Sequence, residues 1–312
     1  MTTDEKLAAI LAAVQTDPGN RGLARDPHDN LFMAYPGDFA AACRQIAEHA
    51  DPSVQVVTGF YIATADPPCG ETDGPLGAVF LARAFHHLSV NAWLHADPFC
   101  ADSLDHGVTA SGIDGQFVIR NKEVTPEGTL GGVWVKSPNG WAPINFTIAV
   151  ERVGPAFDKR CYTMRGRDIT EYMLPAHHLV EAGANGEKLW ETIGIGDGGN
   201  EIGMGKIPHE MIVKNIPNGD LIHCRVPTDH LIVAGVSNWG AYALAAGIYV
   251  LRGAKPPLDL FDPDHERRIL EVMVREGPLV DGVTGKQTAT VDGLTWDEYV
   301  KPLIRIREIL ES

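Results

Sequence analysis

The chain has 312 residues, and its 26 Lys+Arg against 41 Asp+Glu leave a formal charge of −15. That balance repels phosphate backbones and anionic lipid, so nucleic acid and membrane surfaces are excluded as expected partners. A hydrophobic content of 44% supplies a core and rules out disorder for the bulk of the chain.

The predicted elements follow in chain order. Asp4 and Glu5 precede Leu7, Ile10, Leu11 and Val14, which predicts a helix over 4–14 with its acids at the end the dipole favours. A polar stretch over 15–30 separates it from a helix over 38–47. The run 54–62, V-Q-V-V-T-G-F-Y-I, is β-branched and nearly all apolar, as a strand covered on both faces of a parallel sheet would be. A helix over 77–88 and a strand over 90–95 complete a β-α-β rhythm. Residues 112–144 break it. There β-prone pieces at 116–120 and 131–136 alternate with Pro-Glu-Gly and Pro-Asn-Gly turns, which predicts a small β-rich insertion. Strands over 146–153, 188–195 and 229–236, a helix over 168–181 and an apolar helix over 240–251 come next. Helices over 264–275 and 296–311 close the chain. The expectation is one α/β domain over 1–312, a mostly parallel Rossmann-like sheet flanked by helices, with the insertion at about 112–144.

Cys43, Cys69, Cys100, Cys161 and Cys224 are odd in number, far apart and never in a C-x-x-C pair. This argues against a disulfide framework or a structural zinc site. The N-terminus carries acids where a leader would carry Arg or Lys, and the apolar run at 241–251 is about half the ~20 residues of a membrane span. A cytoplasmic setting is expected, with a small-molecule partner and a homo-oligomer left open.

The most informative segment is 194–206, G-I-G-D-G-G-N-E-I-G-M-G-K, with six glycines within twelve residues directly after a predicted strand. Gly194, Gly196 and Gly199 satisfy G-x-G-x-x-G as a string, but Asp197 and Glu201 occupy the space a pyrophosphate would need. Asn200 and Ile207 likewise break a Walker loop. No nucleotide cofactor is expected. The loop suits a hard cation instead, because Asp197, Asn200 and Glu201 offer oxygens and the glycines let them converge.

Three other segments carry polar groups at predicted strand ends. Thr58 and Gly59 close the first strand, and Glu71 and Asp73 lie on the way into the next helix, facing the same crevice or, for Asp73, capping that helix. Glu151 follows a buried strand and Arg165 precedes Gly166; such an acid and such an arginine could hold an amine and a carboxylate, or be ordinary surface charges. Ser237 and Asn238 follow the strand over 229–236 and could donate to a ligand or cap the next helix. The pairs His86–His87 and His177–His178 occupy adjacent predicted helix positions, which point apart and speak against joint metal ligation.

T-G-F at 58–60, E-T-D-G-P-L-G-A at 71–78, M-R-G at 164–166, G-D-G-G-N-E-I-G-M-G at 196–205 and S-N-W-G at 237–240 span about 180 residues. In that order they resemble the D-glutamate cyclase family, in its C-terminal catalytic domain. The resemblance implies an α/β fold and a hydro-lyase that converts D-glutamate to 5-oxo-D-proline and water. On that reading Asp73, Asp197 and Glu201 hold Mn²⁺ or Mg²⁺ against the γ-carboxylate, Glu71 or Glu151 takes the amine proton, and Arg165 holds the α-carboxylate. Two alternatives use the same residues differently: a Mn/Mg-dependent phosphatase acting on a small phosphate ester, and a non-catalytic sensor of a small anion or amino acid.

Overall fold

A computed structural model describes residues 1–113, 118–120, 134–137, 140–181, 188 and 190–312. Its strands are β1 (Ser53–Thr58), β2 (Tyr61–Ile62), β3 (Cys69–Gly70), β4 (Asn91–Ala96), β5 (Val118–Arg120), β6 (Trp134–Ser137), β7 (Gly140–Pro143), β8 (Phe146–Val150), β9 (Glu191–Gly196) and β10 (His230–Val233). Its helices are α1 (Thr3–Val14), α2 (Asp38–Glu48), α3 (Pro75–His87), α4 (Pro98–Ala110), α5 (His209–Asn215), α6 (Gly219–Ile222), α7 (Ser237–Arg252), α8 (Pro263–Glu276), α9 (Trp296–Tyr299) and α10 (Lys301–Glu311).

Six strands form one sheet in the order β10-β9-β8-β1-β4-β5, with every pair parallel. The α/β class expected from the sequence is thus present. Side-chain alternation sorts the sheet's two faces. Val54, Val56, Leu94, Ile148, Ile193, Ile195 and Ile232 join the core under α1, α2, α3, α4, α7, α8 and α10. Val57, Ala149, Leu231 and Val233 point the other way, into a second core closed by Leu23, Tyr162, Ile202 and Ile212. That second cover is loops and short helices, so regular helices are concentrated on one face. Two helices of the first layer are almost wholly buried, α7 from Ser237 to Tyr249 and α3 from Pro75 to Phe85.

The departures from the expected elements have local causes. The run 54–62 divides at Gly59, whose φ of +111° turns the chain so that β2 pairs antiparallel with β3 instead of prolonging β1. The strand expected to 153 stops at Val150, because Glu151 has a left-handed φ of +44°. The helix expected over 168–181 is replaced by two 3₁₀ turns, Thr170–Tyr172 and Ala176–Leu179, separated by Pro175. Helix α4 was not expected: D-S-L-D-H-G-V has no clean apolar stripe, yet six of its residues are buried. Of the expected insertion, β6 and β7 form an antiparallel hairpin, whereas β5 joins the edge of the main sheet beside β4. Expected pieces at 116–117 and 131–133 lie outside the described residues. Among the described residues no helix is long and apolar enough to cross a membrane.

Candidate active site

Strand β1 lies at the topological switch point. The chain builds outward through β4 and β5 on one side, then returns to add β8, β9 and β10 on the other. Crevices beyond the carboxyl ends of strands at such points are where open α/β sheets hold ligands. Thr58 ends β1, Glu151 immediately follows β8, Asp197 immediately follows β9, and Ser237 opens α7 after β10.

Around that crevice stands a cluster of buried carboxyls. Oxygens of Asp73, Asp197 and Asp292 lie within 4.8 Å of one another, and so do oxygens of Glu151, Asp197 and Glu201. Asp197 belongs to both groups. Glu71 joins the same charge network, with Asp292 and Asp197 the strongest acidic influences on it. All six residues are buried, Asp292 being the most open at 8%. Burying so many acids is costly unless they are paired or protonated.

One cation meets them. Arg21 places Nη1 2.5 Å from Asp197 Oδ2 and Nη2 2.6 Å from Asp292 Oδ1. Among the described residues it is the one lysine or arginine ion-paired to this cluster. It comes from the polar stretch over 15–30. There Asp17 accepts the backbone N–H groups of Arg21, Gly22 and Leu23 and so fixes the turn.

Backbone donors position the rest. Asp73 accepts the N–H groups of Ser237 (3.0 Å) and Asn238 (2.9 Å), so it caps α7 and not its own helix α3. Glu201 folds its loop by accepting from Asp197 N (3.0 Å) and Gly199 N (2.7 Å). Ser237 Oγ donates to Glu151 Oε2 at 2.5 Å. Asn238 Oδ1 accepts from Gly74 and Gly77, and its Nδ2 donates to Thr72 O, which ties down the loop that carries Asp73. Gly77 permits this, since a Cβ there would lie 2.9 Å from Asn238 Cα. Among the described residues of the crevice, Thr58 Oγ1, Asn200 Oδ1 and Asp292 Oδ2 are buried without a hydrogen-bond partner, and Asp197 Oδ2 has only its Arg21 ion pair.

Protonation is divided across the cluster. Burial, reinforced by neighbouring carboxylate charge, pushes Glu71, Asp73 and Glu151 well above the usual range. For Asp73 the Asn238 N–H opposes that rise. Burial also lifts Asp197 and Asp292, but Arg21 opposes it and both stand at about 6. Burial would lower Arg21, yet the charges of Asp197, Asp292 and Glu151 outweigh it and hold the guanidinium charged. The carboxyls of the cluster are therefore biased to different degrees toward the protonated form.

Of the residues expected from the sequence, Thr58, Glu71, Asp73, Glu151, Asp197, Asn200, Glu201, Ser237 and Asn238 come together. Ser237 and Asn238 direct their side chains to Glu151 and to the 72–77 loop. Gly59 contributes its turn and a carbonyl that accepts from Arg152 Nη1 at 3.0 Å. Arg165 stands apart: it is exposed at the rim, with Nη2 3.5 Å from Val283 O. His177 and His178 depart from expectation, because a 3₁₀ turn brings their rings to 4.1 Å, close to Glu181, at the surface and away from the acids.

Arg21 and Asp292 were not foreseen. Asp292 sits in the second of two V-D-G tripeptides, 280–282 and 291–293, a repetition visible in the sequence. Asp281 of the first accepts from Gly293 N at 2.7 Å and so fixes the turn beside Asp292. Arg21-Gly22 has the same Arg-Gly form as Arg165-Gly166, and nothing local says which reaches the crevice.

Residues 10–307 match the model of the family described as D-glutamate cyclase-like, C-terminal. The human protein D-glutamate cyclase, mitochondrial, is 31% identical over 260 residues, which cover 80% of this chain and 40% of that protein. The chain therefore spans about two-fifths of the length of this relative. With the family match running from α1 into α10, across every strand that places a carboxyl in the crevice, the chain belongs to the D-glutamate cyclase-like, C-terminal family.

Proposed function

We propose that this protein is a hydro-lyase that cyclises D-glutamate to 5-oxo-D-proline with release of water. The reaction forms a bond from the α-nitrogen to the γ-carboxyl carbon and breaks a C–O bond of that carboxyl. The ammonium must lose one proton before attack and the nitrogen a second after it, and the departing oxygen must gain two to leave as water. A site for this chemistry needs a carboxylate that accepts and a carboxylic acid that donates, both within reach of one small molecule. The single observation that carries the reading is that this cluster gathers buried carboxyls, some paired to Arg21 and some biased by burial toward the protonated form.

Asp197 and Asp292, ionised at neutral pH, suit the proton-accepting role. Glu151 and Glu71, pushed toward the protonated form by burial, suit the donating role better than the base role the resemblance implied. Ser237 occupies one oxygen of Glu151 and leaves the other to carry a proton. Intramolecular attack lets positioning do much of the remaining work, since the substrate brings its own nucleophile.

The donor set fits a hard divalent cation, Mn²⁺ or Mg²⁺: every candidate ligand is an oxygen, and Asn200 Oδ1 and Asp292 Oδ2 are buried without partners. The trio expected from the sequence, Asp73, Asp197 and Glu201, divides between two groups, so either Asp73, Asp197 and Asp292 or Glu151, Asp197 and Glu201 would hold it. When bound, such an ion would polarise the γ-carboxyl as a Lewis acid. A cytoplasmic setting belongs to the same proposal, supported by five free cysteines.

One observation favours a second reading. Two carboxylate groups that share Asp197 could hold two ions, the arrangement used to hydrolyse phosphate esters. Proton NMR of D-glutamate, L-glutamate and a generic phosphate ester, each incubated with and without Mn²⁺, separates the two. Cyclisation of D-glutamate is expected. Release of phosphate with glutamate untouched would transfer the site to the second reading.

A further inference from the structure

We infer that Arg21, held in the crevice by the turn over 15–30, is the anchor for the α-carboxylate of an amino-acid substrate. The inference rests on the amino-acid chemistry proposed above. A crevice with one guanidinium ringed by carboxyls matches a particular ligand class. A simple dicarboxylate would meet repulsion from nearly every wall, and a simple amine would leave the guanidinium unanswered. An α-amino-acid head group places an anion and a cation two bonds apart and answers both.

The geometry leaves Arg21 donors for this role. A guanidinium has five N–H groups. One goes to Asp197 and one to Asp292, and Gly235 O lies 3.5 Å from Nη1. Two remain for an incoming carboxylate, and the side chain keeps 16% of its surface exposed. Asp197 and Asp292, on the same guanidinium, then stand beside the adjoining ammonium. Arg165, the other candidate, is exposed at the rim and ion-pairs with none of these acids.

The anchor is also built in. Asp17 fixes the turn through three backbone N–H groups. Gly22 has a φ of +102°, and a Cβ there would fall 2.1 Å from Asn215 O. Gly235, two residues past β10, admits the backbone of Thr16, whose carbonyl oxygen would lie 1.7 Å from a Cβ at that position. A surface loop would not require contacts this close.

The test crosses a side-chain change with a ligand change. D-Glutamate and 4-aminobutyrate, which keeps the amine and the distal carboxylate but lacks the α-carboxylate, are each titrated against wild type, Arg21→Gln and Arg21→Lys. Binding is read from melting-temperature shifts. Arg21→Gln should weaken D-glutamate at least ten-fold and change 4-aminobutyrate less than two-fold, with Arg21→Lys intermediate. Should Arg21→Gln fail to fold, Arg21→Lys carries the same comparison. Equal weakening of both ligands would assign Arg21 a merely structural role and overturn the inference, as would unchanged binding of D-glutamate. Failure of the two readings is distinguishable. Arg21-dependent binding without cyclisation removes the cyclase reading alone; cyclisation with an unchanged KM in both variants removes the anchor alone.

Discussion

Glu151 and Asp292 are the residues at which this site departs furthest from ordinary backbone chemistry. Both are buried carboxyls with left-handed φ, +44° and +55°, where a non-glycine side chain is strained. Such strain persists where surroundings over-determine it, and it gathers at functional sites. At Glu151 the turn ends β8 and aims the carboxyl at Ser237 and the crevice. Glu151→Gln should therefore retain the fold but lower turnover by about 10²-fold or more, the usual scale for a lost proton donor, in a coupled or NMR rate assay. The rate should rise as pH passes about 6, where Asp197 and Asp292 lose their protons, and fall at higher pH as Glu151 ionises. A flat profile from pH 5 to 9 would contradict the division of roles.

Among the elements, the loop after β9 and the entry to α7 do most to build the site, and both were legible as sequence. Acids set among six glycines could not have been a dinucleotide loop, and S-N-W-G marked the start of a helix. What stayed hidden were groups that reach the crevice from far along the chain. Arg21 arrives from an N-terminal turn with no periodic pattern, and Asp292 from a loop after α8; long-range packing places them, and no local propensity reports it. The close approaches suggest direct tests. Gly282→Ala would set a methyl 1.7 Å from Glu71 Oε2, so it should lower activity strongly, measured as turnover. Gly235→Ala collides with Thr16 O and should cost about 1–3 kcal/mol in a denaturant melt, the usual scale for overpacking. It should also loosen the turn that carries Arg21.

For the whole molecule, the charge of −15 now divides into a solvated majority and a small buried minority that opposes folding. A carboxyl whose folded pKa lies above its unfolded value holds a proton in the native state that the unfolded chain releases. Stability then falls as pH rises from about 4 through about 6, and the penalty is fully present above that window. Glu71, raised further still by burial, carries the same sign. Glu71→Gln should accordingly raise the melting temperature at pH 8 by roughly 2–4 °C per kcal/mol recovered, with the gain narrowing toward pH 4. A protein poised this way trades stability for a site that holds acids and carboxylates together. The most direct test of that site's purpose is chiral chromatography of 5-oxoproline formed from D-glutamate by wild type, Asp197→Asn and Glu151→Gln. Wild type is expected to yield 5-oxo-D-proline, with a loss of about 10²-fold or more in both variants. No product from wild type, or product undiminished in the variants, would contradict it.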